Sequence, residues 1–258
     1  MTTAPDGFAP DAAALERSIH LKLVFNVRDL GGLRTVDGRT VRRGRLFRGD
    51  GVNRLRDDDL DVVRRLGLRT VIDLRTAGEI GRGGRFPVED CPVTWFSLPL
   101  IRRMWSDDEL VATTGAVDFL RDRYVAMLTE GADSLAEIVE IVADGQPALF
   151  HCAAGKDRTG VTAAVLLGLV GVDRREIIDD YHVTAGAMAA FVDWLTLEHP
   201  EALDAMTSQP PEYLEAPPAA MAGFLDVVDD TYGSMLGLAD HLGVTAATID
   251  RLQATLID

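Results

Sequence analysis

The residues most able to do chemistry lie together in His151-Cys152-Ala153-Ala154-Gly155-Lys156-Asp157-Arg158-Thr159-Gly160, between a short apolar run at 148–150 and a longer one at 161–172. Strand, loop and helix in that order make an anion cradle. Successive backbone N–H groups of such a loop converge on one point, and the free amides at the helix start add partial positive charge. A cysteine at the loop entrance feels that field together with the guanidinium of Arg158, which favours the nucleophilic thiolate. The five residues between Cys152 and Arg158 let the chain wrap once, so that the guanidinium can face the sulfur and grip two oxygens of a phosphoryl group. Ala153, Ala154, Gly155, Lys156 and Asp157 would line the bowl, and Thr159 could donate to the sulfur or assist breakdown of a phosphocysteine. Glycines at 155 and 160 allow close backbone approach. An isolated cysteine is more often a small buried hydrophobe, but ten specified positions in this context favour chemistry. A nucleotide-binding loop is excluded, because no Gly is followed at the required spacing by Gly-Lys-Ser or Gly-Lys-Thr.

The chain that must position this loop has 258 residues, 47% hydrophobic and 26% charged, enough for one large core or two small ones. Lys and Arg total 26 against 41 Asp and Glu, a formal charge of −15, which disfavours nucleic acid and anionic membranes as partners. Any bound anion needs a local basic site, and with lysine present only at 22 and 156 that charge is supplied by arginine. The two cysteines, Cys91 and Cys152, read as free thiols, with Cys91 structural. Scattered histidines at 20, 182, 199 and 241 have no metal-ligand spacing, so no metal and no cofactor is expected. No basic start or apolar run marks a signal peptide, and the longest apolar stretch is too short for a bilayer span. The expected location is cytoplasmic, or secreted without a recognisable signal peptide.

Alternating short apolar runs and helical spacing predict an α/β fold with a central, mostly parallel sheet flanked by helices. Residues 1–20 read as a loose arm and 21–258 as a single domain. Asp37-Gly38 predicts a tight hairpin with positive φ at both positions. Helices are expected over 55–66 and 132–143, strands over 69–75, 93–98 and 148–152, and loop over the glycine-rich 78–92. A helical excursion over about 100–130 contains Met104 and Trp105; it reads as an amphipathic core helix or as a cover over the site. Four prolines in 209–218 break the chain before a C-terminal helical layer over 210–258.

The loop resembles the signature of the cysteine-dependent protein tyrosine phosphatases: His-Cys, five residues, Arg, then Ser or Thr. Within them the chain is similar to the bacterial tyrosine phosphatase family of the mycobacterial secreted phosphatase B type. The similarity is carried by Asn26-Val-Arg-Asp-Leu-Gly-Gly, Arg45-Leu-Phe-Arg48, Val71-Ile-Asp-Leu-Arg75 and Gly155-Lys-Asp-Arg-Thr, with Glu212-Tyr-Leu, Tyr232-Gly-Ser and Leu242-Gly-Val beyond them. It extends from about residue 21 to the C-terminus. It implies a tyrosine/dual-specificity phosphatase-like fold with a helical lid insertion, Cys152 as nucleophile and Arg158 as phosphate clamp. Substrates would be phosphotyrosine proteins, or also phosphoserine, phosphothreonine or phosphoinositides, with inorganic phosphate as product. Lys156 would be the additional charge of members that accept phosphoinositides, opposed by Asp157 if that carboxylate enters the pocket.

Departure of the phenolate or alkoxide needs an acid, and the Trp-Pro-Asp loop of other tyrosine phosphatases is absent. Asp73 is the first candidate, at the carboxyl edge of a strand and in a motif where family members place a working Asp. Its competing role is a turn cap or a pair with Arg75; Asp157 and Asp50 come next. Arg75 and Glu79 are spaced for a surface helix pair or for phosphate recognition. Asn26, Arg28, Asp29 and Arg48 read as structural, and His151 as a histidine bonded to the loop backbone. The rival functions are a catalytically silent phosphoprotein-binding module and a thiolate-based sulfur or arsenate enzyme.

Overall fold

A computed structural model describes residues 16–103, 115–198 and 215–258. Its centre is a five-stranded sheet of β1 (Arg28–Asp29), β2 (Leu46–Gly49), β3 (Thr70–Asp73), β4 (Thr94–Ser97) and β5 (Ala148–His151), ordered β1-β2-β5-β3-β4. All pairs are parallel except the edge pair β1–β2. The three inner strands are buried along their whole length, as parallel strands covered on both faces must be. Gly49 and Asp73 both stand opposite His151, so the carboxyl ends of β2, β3 and β5 finish level, one residue before Cys152.

Around the sheet lie α1 (Asp58–Arg65), α2 (Ala77–Gly83), α3 (Ala116–Glu130), α4 (Ala132–Asp144), α5 (Asp157–Leu169), α6 (Arg174–Glu198), α7 (Pro218–Tyr232), α8 (Met235–His241) and α9 (Ala246–Leu256). Neighbouring side chains of a strand point to opposite faces, and β5 shows it. Phe150 joins a large apolar cluster built with α3, α4, α5, α7 and α9, whereas Leu149 joins a smaller one with Val27, Phe47, Val71 and Phe86. The helix after the loop, α5, is buried almost all round, which fits the largely apolar run that begins at Val161. In α1, Asp58, Asp59 and Asp61 occupy the first turn and Arg64 and Arg65 the last, the arrangement its dipole favours.

Several expectations are corrected. The glycine-rich stretch 78–92 is not all loop, because it contains most of α2. Its glycines lower helix propensity, but Thr76 and Glu79 form a capping box that satisfies the first turn. The 69–75 strand is only four residues long. At the hairpin, Arg34 pairs with Thr40 and only Gly38 takes positive φ; Asp37 instead bonds Thr35 and Arg39 through its side chain. The arm is fixed at its end, where Ile19 N–H donates to Val27 O and Arg17 reaches Asp180.

Of the helical excursion, 104–114, with Met104 and Trp105, lies outside the described residues. The part in α3 is a core helix that buries Phe119, Leu120, Tyr124, Met127 and Leu128. Positions 210–214, with Glu212-Tyr-Leu, also lie outside the described residues, and 218–256 form the C-terminal helices. Among the described residues no helix is long and apolar enough to cross a membrane.

Phe150 is fully buried at the centre of β5, just before His151. Phe150→Ala is expected to cost about 3–5 kcal/mol, read as a lower urea midpoint; a loss below 1 kcal/mol would contradict the packing described.

Candidate active site

The loop after β5 is held from behind. Asn26 Nδ2 donates to Ala154 O at 3.2 Å and Gly155 O at 3.1 Å, Arg48 Nη2 donates to Gly155 O at 2.9 Å, and Gly51 N donates to Ala153 O at 3.0 Å. In a trans peptide the C=O of one residue and the N–H of the next point to opposite sides. Tying the carbonyls of 153, 154 and 155 to one side therefore turns the N–H groups of Ala154, Gly155 and Lys156 to the other. Gly155 is required here, since at φ +69° a Cβ would lie 2.7 Å from both Asn26 Nδ2 and Gly49 O. Cys152 is buried at the entrance of this turn, with Ala153 exposed and Ala154 and Asp157 half-buried at its mouth.

The brackets are themselves anchored on Asp180 of α6, which sequence reasoning did not single out. Its carboxylate accepts from Arg28 Nε at 3.0 Å, Arg48 Nη1 at 2.7 Å and Arg17 Nη1 at 2.8 Å, all buried. Burial alone would raise the Asp180 carboxyl; the three guanidiniums hold it far below the usual range. Arg28 is pushed down to about 10, by burial first and then by the charge of Arg48. Asp50 braces the same segment, accepting from the Phe25 and Asn26 amides and from Arg54 Nη2 at 2.6 Å.

Arg158 stands on the first turn of α5 with Glu79 across from it. Nη1 donates to Oε2 at 2.7 Å and Nη2 to Oε1 at 2.9 Å. Burial would raise the Glu79 carboxyl, but Arg158, with the Thr76 amide and hydroxyl, brings it down to about 2. Arg158 is opposed by burial and raised above its ordinary value by the Cys152 sulfur and Glu79. Two of the five guanidinium N–H donors are engaged by Glu79, leaving three for an oxyanion. The expected Arg75–Glu79 pair does not form; Arg75 instead grips Asp73, Nε to Oδ1 at 2.9 Å and Nη2 to Oδ2 at 2.6 Å. The Thr76-x-x-Glu79 spacing was the available sign of α2, but nothing in it points to Arg158.

Asp73 is sealed from solvent, with His151 Nε2 3.6 Å from its Oδ2. Burial keeps His151 neutral, its pKa lowered to about 4 against the pull of Asp73, and its Nδ1 lies 3.2 Å from Cys152 O. Lys156 is buried, donating to Glu215 O at 3.0 Å with its Nζ 3.6 Å from Asp157 Oδ1. Asp157 Oδ1 also accepts from Tyr124 Oη at 2.7 Å. Thr159 is buried, with its hydroxyl 3.5 Å from Gly49 O, at the limit of hydrogen bonding. Cys91 lies elsewhere, in the smaller apolar cluster, its thiol pushed up by burial. Among the described residues no group of three His, Cys, Asp or Glu could hold a metal ion.

Residues 19–258 match the model of the tyrosine phosphatase family. The chain is 29% identical to the triple specificity protein phosphatase PtpB of Mycobacterium tuberculosis, over 90% of this chain and 96% of that protein. It is 32% identical to a Cupriavidus necator protein whose name assigns it provisionally to the tyrosine-protein phosphatases, over 67% of this chain and 66% of that one. A tyrosine-protein phosphatase of Nostoc commune is 34% identical over 52% of this chain and 46% of its own length.

Two outcomes are expected. Gly155→Ala should abolish activity while leaving a folded protein by circular dichroism, since the added methyl meets a bracket and a backbone carbonyl; an active Gly155→Ala enzyme would contradict the bracketed loop. As pH falls the unfolded chain protonates its histidine near 6.5 before folded His151 does near 4. Stability present above pH 6.5 should therefore decline toward pH 4, by about 3 kcal/mol, and urea melts of His151→Gln should show a shallower decline.

Proposed function

The chain belongs to the tyrosine phosphatase family, and on that premise we propose that it hydrolyses phosphotyrosine in proteins through a phosphocysteine. The observation that supports the proposal is the set of loop carbonyls tied to one side by Asn26, Arg48 and Gly51, which turns three amides to the other side, with Arg158 following on the first turn of the next helix. Those donors fit the equatorial oxygens of a phosphoryl group and stabilise charge as it develops there.

The Cys152 sulfur attacks phosphorus as the ester P–O bond breaks, and a carboxylic acid gives its proton to the departing phenolate. Water then attacks phosphorus, the same carboxylate takes its proton, the S–P bond breaks and inorganic phosphate leaves. For the acid, Asp73 was the first expectation, but both its oxygens are engaged by Arg75 in a sealed site, which suits it to holding Arg75 in place. Asp157 fits proton transfer better. It lies on the loop itself, half-buried, with one oxygen engaged.

Breadth beyond phosphotyrosine is supported by the name of the mycobacterial relative, a triple specificity protein phosphatase, and phosphoserine, phosphothreonine and phosphoinositides are the classes to compare. The Lys156 ammonium weighs against phosphoinositides, because it is engaged by Glu215 O and Asp157 and not offered to a second phosphate.

Cys152→Ser should lower phosphate release from a phosphotyrosine peptide by at least about 10³-fold while peptide binding survives. Wild-type activity should persist in chelator. An active Cys152→Ser variant would end the proposal, and a wild type that binds the peptide without releasing phosphate would instead be a binding module.

A further inference from the structure

Three helices bring a chain of hydroxyls to the loop. Tyr181 of α6 and Tyr124 of α3 have their hydroxyl oxygens 2.7 Å apart, and Tyr124 Oη lies 2.7 Å from Oδ1 of Asp157, the first residue of α5. Both tyrosines are buried, their rings meeting edge-on at 6.0 Å, with Phe224 of α7 edge-on to Tyr124 at 6.4 Å. Packing on this scale fixes ring and hydroxyl positions together. Burial, and then the charge of Asp157, raises the Tyr124 hydroxyl well above its ordinary value, so it stays protonated and acts as a donor.

The engagement of Asp157 is one-sided. Tyr124 Oη and Lys156 Nζ both approach Oδ1. Among the described residues Oδ2 has no hydrogen-bond partner. A carboxylic acid whose one oxygen accepts a hydrogen bond carries its proton on the other. We propose that Tyr124, backed by Tyr181, is a positioning residue that fixes Asp157 by Oδ1, so that the transferable proton is carried on Oδ2 toward the leaving group. The proposal rests on Asp157 as proton donor.

Leaving groups separate this from a packing role. p-Nitrophenolate departs with little need of a proton, whereas phenolate and tyrosine phenolate need one. In Tyr124→Phe, kcat/KM for phenyl phosphate, which reports only the steps up to departure of the leaving group, should fall about 10-fold while kcat/KM for p-nitrophenyl phosphate changes less than about twofold. Asp157→Asn should show the same pattern more steeply, and adding Tyr124→Phe to it should change nothing further. An equal loss on both substrates, no loss, or additivity in the double variant overturns the proposal. If Asp157→Asn shows no preference between the substrates, the donor assignment fails and this proposal with it. If Asp157→Asn shows the preference and Tyr124→Phe does not, only the positioning role fails. Should Tyr124→Phe not fold, Tyr181→Phe decides, with a loss of roughly threefold on phenyl phosphate alone expected and an unchanged ratio overturning the proposal.

Discussion

The structure depends on one constraint: three consecutive peptide carbonyls must face away from the sulfur. A loop of small residues has no side chains with which to enforce this, so the force comes from Asn26 and Arg48 on neighbouring segments. Arg48 is useful only if its own position is fixed, and that is the part played by Asp180. Burying one carboxylate and three guanidiniums costs desolvation that their attraction roughly offsets. Arg28 is lowered first by burial and then by the neighbouring charge of Arg48. A cluster of this kind adds little to stability and much to geometry, and removing Asp180 would leave three buried guanidiniums without the partner they share.

The candidate site was legible in the sequence where its residues are neighbours along the chain. The strand, the loop and α5 follow from apolar runs on either side of a fixed ten-residue pattern, and the register that levels Gly49, Asp73 and His151 agrees with a parallel sheet. What escaped was every contact made across the chain. Asp180 sits in a helix whose spacing reads as ordinary, and its partners are Arg17, Arg28 and Arg48, more than a hundred residues away. Glu79 was readable as spaced four residues from Arg75, yet the capping box that orients α2 aims it at Arg158. Local spacing describes one helix face at a time; a site assembled from five segments is decided by packing.

The division of labour among carboxylates follows from surroundings rather than residue type. Asp180, Asp73, Asp50, Glu79 and Asp157 all stand near the loop with arginine or lysine beside them. Four are consumed by guanidiniums in tight pairs that set positions. The fifth is held chiefly by a hydroxyl, a weaker tie that leaves half of the group for other use. In a chain with 41 acidic residues, the ones that matter are told apart by what has hold of them.

Arg17 carries a practical lesson about where a domain starts. The family match opens at residue 19, two positions after the side chain that completes the ring of guanidiniums on Asp180. A protein trimmed to the matched region would keep every signature motif and still lose a buried ion pair beneath the loop that follows β5. Among the described residues, Arg17 and Ser18 belong to the packed unit although they precede the family match.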